Sequence, residues 1–89
     1  MSNDSETIAT TFAALLSLLA KILSLDQLWE LEVHADHDEH EVAFSLLCSI
    51  LRRAAAPIPE PAWALLVEVG GRLGAKPALW RRLPRARND

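Results

Sequence analysis

The chain holds one cysteine, Cys48, in 89 residues. A lone thiol excludes a disulfide framework and a thiolate metal set, and it fits a reducing, cytoplasmic setting. Catalytic signatures are missing too: there is no glycine-rich phosphate loop, no nucleophile elbow and no HExxH pair. Cys48 sits in the apolar run FSLLCSI with no base close by in sequence, so thiol catalysis is not expected. Neither an enzyme nor a cofactor-dependent protein is expected. The opening residues MSNDSE are acidic where a secretory leader would be basic, so export is not expected either. Strand-like alternation, internal repeats and low-complexity tracts are all absent.

What is present is apolar and helical in period. Hydrophobic residues make up 51% of the chain, which is more than a single small domain over residues 1–89 readily buries. That surplus favours another protein or a second copy as partner, and a homo-oligomer is expected. Residues 8–25, IATTFAALLSLLAKILSL, carry Lys21 as their only charge. Thr10, Thr11, Ser17 and Lys21 argue against a membrane span and for a helix buried on most sides.

The apolar positions Ile8, Phe12, Leu15, Leu16, Leu19, Ile22 and Leu23 predict a first helix over about residues 5–23, capped by Asp4 or Ser5. Ser24 with Gln27 three residues on matches a capping box and starts a second helix at Leu25, ending near residue 34. Its inward face is expected to be Leu25, Leu28, Trp29 and Val33. The next face, Val42, Ala43, Leu46, Leu47, Ile50, Leu51 and Ala54, is out of phase with it. The chain is therefore expected to break near His34–His37, with Asp36 or Asp38 capping a third helix to about Ala55. One continuous helix is the alternative.

PIPEP at residues 57–61 is a connector, and Pro61 suits the opening of a fourth helix over about 61–73. Gly70 and Gly71 weaken that helix, which points to close backbone packing or a frayed end. Gly74 marks its end, and PALWRRL from Pro77 is a possible short fifth helix. Residues 84–89 are expected to be a flexible basic tail. The fold class is all-α, a small bundle of four main helices with a short fifth C-terminal one.

Charge is split along the chain. Residues 1–51 hold nine acidic and one basic side chain, and residues 52–89 hold eight basic and three acidic ones. Halves of opposite sign attract within one fold or between neighbours head to tail. The acidic half culminates in HADHDEHE, residues 34–41. In the favoured reading this segment is a solvated helix start whose carboxylates Asp36, Asp38, Glu39 and Glu41 meet a basic partner. In a second reading His34, His37, His40 and Glu41 hold a metal ion, since imidazole and carboxylate suit zinc or nickel, although HxxHxxH is no specific signature. A proton switch would use the same histidines.

At the basic end Trp80, Arg81, Arg82, Arg85 and Arg87 form a cluster preceded by Arg72 and Lys76. It reads as a surface for a protein partner or for the chain's own acidic segment. Arginines around an exposed aromatic also suit phosphate contact and base stacking, though the acidic chain makes nucleic acid the less expected partner. Trp29, Trp63 and Trp80 are expected as core or interface anchors, with Trp63 partly exposed. The function these features favour is a non-catalytic protein-interaction module: a subunit, adaptor or inhibitor of a larger complex.

Overall fold

The computed structural model describes residues 4–86. The expected capping side chains of Asp4 and Ser5, and Arg87 of the basic cluster, lie outside what it describes. The chain is an all-α bundle of four helices: α1 (Asp4–Leu18), α2 (Leu25–Asp36), α3 (His40–Ala54) and α4 (Glu60–Leu73). A single 3-10 turn, Pro77–Leu79, replaces the expected fifth helix. No helix among the described residues is long and apolar enough to cross a membrane.

Helix α1 ends five residues earlier than its apolar spacing predicts. The capping box at Ser24 commits the chain to a new direction, so residues 19–23 tighten into turns. Ala20 N–H donates to Ser17 O and Ile22 N–H to Leu19 O, three residues back. Leu19 and Leu23 stay buried through those turns, which explains why the periodicity runs on past the helix. The capping box itself forms in full: Gln27 N–H donates to Ser24 Oγ at 3.1 Å, and Ser24 N–H to Gln27 Oε1 at 2.9 Å.

Helices α2 and α3 are separate, broken over residues 37–39, where Asp38 takes a positive φ of 59°. Neither Asp36 nor Asp38 caps α3. Asp36 ends α2, and Glu39 occupies the cap position without a side-chain hydrogen bond. Helix α3 turns His40, Ala43, Phe44, Leu47, Cys48 and Leu51 inward. Its buried stripe is shifted toward Phe44 and Cys48, leaving Val42 half exposed.

Helix α4 opens with Pro61 in its first turn and closes on Gly74 at φ 69°. Of the two glycines before it, Gly70 is the packed one. A Cβ there would stand 2.5 Å from the Trp80 ring, whereas one at Gly71 would meet open space. Trp80 is only 7% exposed and meets Phe44 edge to face, with ring centroids 5.6 Å apart.

The C-terminal stretch is not a loose tail as far as it is described. Ile58, fully buried in the proline connector, pairs with it: Ile58 N–H donates to Pro84 O at 2.9 Å and Ala86 N–H to Ile58 O at 2.8 Å. Leu83 is buried, and Arg85 lies over the Trp63 ring at 4.7 Å while its Nη2 donates to Glu60 Oε1 at 2.6 Å. Pro57 and Pro59 leave an extended edge before α4, and residues 84–86 satisfy it.

In the bundle α1 packs along α4 and α2 along α3, while α1 and α2 meet sparsely. One continuous core, from Ile8 and Phe12 through Phe44, Leu47 and Leu66 to Trp80 and Leu83, joins all four helices.

Candidate partner-binding groove

The sparse meeting of α1 and α2 leaves a hollow of about 450 Å³ between them. The buried Phe12 and Leu16 line it, with the exposed Ala9, Ala13 and Ser17 of α1 and Ala20 of the turns that follow. These four side chains are too short to reach across to α2, so the sequence FAALLSLLA builds the opening by omission of bulk. On the α2 side Leu28 and Ala35 supply apolar surface, and Glu32 and Asp36 stand at the edge. The volume falls in the range of ligand and peptide clefts, and its only ionisable groups are the two carboxylates.

The face of α2 differs from the one its spacing predicts. Leu31 is its buried residue, and Gln27, Leu28, His34 and Ala35 are partly covered beside it; of the expected face Leu28 and Val33 are partly covered and Leu25 and Trp29 are not. Leu25 is 84% and Trp29 69% exposed, one helical turn apart. The helical wheel explains the choice. Positions 25, 29 and 33 are flanked by Glu32 and Asp36 on one side and by Asp26 and Glu30 on the other. Burying that stripe would take carboxylates out of water at several kcal/mol each, so the 28/31/35 stripe faces the core instead. Helix α2 thus shows solvent an aromatic and a leucine among four carboxylates, with no lysine or arginine.

The histidine segment does not assemble as its spacing suggests. Among the described residues no three histidine, cysteine, aspartate or glutamate side chains converge into a group able to hold a metal ion. A continuous helix would have brought His37, His40 and Glu41 together, but the break over 37–39 disperses them. His34 Nδ1 lies 2.9 Å from Glu39 Oε1, which closes the turn, and His37 is exposed at the end of α2. His40 turns inward to 7% exposure. Both its ring nitrogens lack a hydrogen-bond partner, the nearest carboxylate, Asp38 Oδ1, being 3.6 Å from Nε2. Asp36, Asp38, Glu39 and Glu41 are exposed.

The basic cluster is divided as well. Trp80 is core and offers no face for stacking, and Arg85 is engaged by Glu60 and Trp63. Arg81 and Arg82 remain exposed and, with Arg52 and Ala78, line a second hollow of about 460 Å³. Among the described residues the arginine–carboxylate pairs are Arg72–Glu68 and Arg85–Glu60 and the histidine–carboxylate approaches are His34–Glu39 and His40–Asp38, so none joins the acidic segment to Arg81 or Arg82. The two charged halves do not neutralise each other there.

Cys48 is fully buried on α3, and burial pushes its thiol up to about 12 despite the opposing pull of Arg52. It is held as a packed thiol. Leu25, Trp29, Val42 and the alanine wall are exposed apolar features that sequence spacing missed, and the stretch of short side chains in α1 was the available signal for the wall.

The chain matches no protein-family model, no curated protein and no solved structure.

Proposed function

We propose that this protein is a non-catalytic interaction module that seats a helical segment of a partner protein in the α1–α2 groove. The observation that carries the reading is the groove itself: apolar in most of its lining, edged by Glu32 and Asp36, and continuous with the core. An amphipathic helix laid into such a cleft sets leucine-like side chains against the exposed Ala9, Ala13 and Ala20, and these short side chains let its backbone approach closely. Carboxylates at the edge favour lysine or arginine flanking the partner's apolar stripe and speed its approach. The module acts in a reducing compartment, where Cys48 stays a thiol.

A displayed library of helical peptides tests this. Selection against the protein should enrich basic amphipathic helices, and calorimetry should show their binding lost in Ala13→Trp and weakened about tenfold in Glu32→Lys with Asp36→Lys. Ala13 is exposed, so the tryptophan fills the groove without disturbing the core. Enrichment of no helical peptide, or binding indifferent to Ala13→Trp, would refute the reading.

A further inference from the structure

We infer that the protein associates with itself head to tail, the Leu25–Trp29 stripe of one copy docking into the arginine hollow of the next. The two surfaces are complementary in form and charge. One is convex: Trp29 stands out at 69% exposure, flanked by Asp26 and Glu30 on one side and Glu32 on the other. The other is a hollow of about 460 Å³ lined by Arg52, Ala78, Arg81 and Arg82, with no carboxylate in its lining. Arg52 is held toward that hollow by its Nη2 donating to Leu79 O at 3.5 Å.

Charge selects the occupant. Two α2 stripes facing each other across a twofold axis would set four carboxylates against four, so the stripe does not pair with itself. The arginine hollow offers what the stripe requires: guanidinium groups to take Asp26 and Glu30 in charge-assisted hydrogen bonds, and to lie against the indole of Trp29. Among the described residues Arg81 and Arg82 form no ion pair, and both are exposed, as are Leu25 and Trp29. Because knob and hollow are different patches of the same chain, the contact is heterologous and propagates into a ring or an open row. It does not depend on the partner-helix reading of the groove.

Light scattering across a concentration series tests it. At low ionic strength the mass should climb above the 9.8 kDa of one copy with rising concentration, and return to it at high salt. Asp26→Arg with Glu30→Arg should abolish the rise, as should Arg81→Glu with Arg82→Glu, and a chain carrying all four changes should regain it. Trp29→Ala should weaken association roughly tenfold or more while leaving the exposed helix face folded. A protein that stays at monomer mass at low salt overturns the proposal. So does association that survives either pair of charge reversals. A monomer that instead binds nucleic acid through Arg81 and Arg82 assigns the hollow to phosphate and overturns it too.

Discussion

Gly70 and Gly71 are neighbours on α4 with opposite environments. Gly70→Ala drives a methyl into Trp80 and within 3.0 Å of Phe44, and should cost about 1–3 kcal/mol of stability. Gly71→Ala enters open space on a helix and should stabilise by about 0.5–1 kcal/mol. Urea midpoints of the two variants should move in opposite directions. The sequence marks both as anomalies within a helix but does not separate them, because the ring that fills the space at Gly70 comes from ten residues further on. His40 is a second such case: one polar side chain in an otherwise apolar stripe, with neither nitrogen paired. His40→Leu removes that unmet demand and should raise stability by about 1 kcal/mol, and a lowered melting temperature would contradict it. Cys48 supplies a pH dependence. Its native thiol titrates near 12 against 9.0 for the free group, so between those values the unfolded chain loses a proton that the native chain keeps. Stability contributed by Cys48 is therefore full below pH 9 and falls as pH rises toward 12. Cys48→Ala, though less stable overall, should show a shallower alkaline decline.

At the scale of the element, the starts of α2 and α4 were legible, while the cap of α3 and the helix faces were less so. The Ser24–Gln27 capping box, Pro61 and Gly74 act within a few residues, and each performs the role its chemistry predicts. Ser24→Ala should remove about 1 kcal/mol by stripping one half of the box, measurable as a lowered melting temperature. The face of α2 was misjudged at Leu25 and Trp29, which are exposed, and at Leu31, which is buried, while the expected Leu28 and Val33 are partly covered. The cost of dehydrating the flanking carboxylates decides between the two stripes. The end of α1 was misjudged for a related reason: Leu19 and Leu23 keep facing the core after the backbone has left the helix. The docking of residues 84–86 on Ile58 depends on a pairing between segments 27 residues apart, which no local pattern in PRARND reveals.

For the whole molecule the decisive feature is where bulk is withheld. Core formation consumes one face of each helix, yet α1 and α2 diverge over a wall of alanine and serine, and α2 keeps an aromatic in water. Among the described residues the two most exposed large apolar side chains, Leu25 and Trp29, lie on the helix with four carboxylates and no lysine or arginine. Charge does not close on itself either, since Arg81 and Arg82 form no ion pair with the acidic segment. The all-α class was legible in the apolar spacing; the location of the groove was not, because it depends on how sparsely two helices meet. The account rests on that groove being an occupied surface, and amide chemical-shift mapping tests it directly. When a basic amphipathic helix chosen by selection is titrated into labelled protein, the largest shifts should fall on Ala9, Ala13, Ser17, Leu28 and Glu32. Shifts confined to α4 or to the Arg81–Arg82 surface, with these amides unmoved, would contradict it.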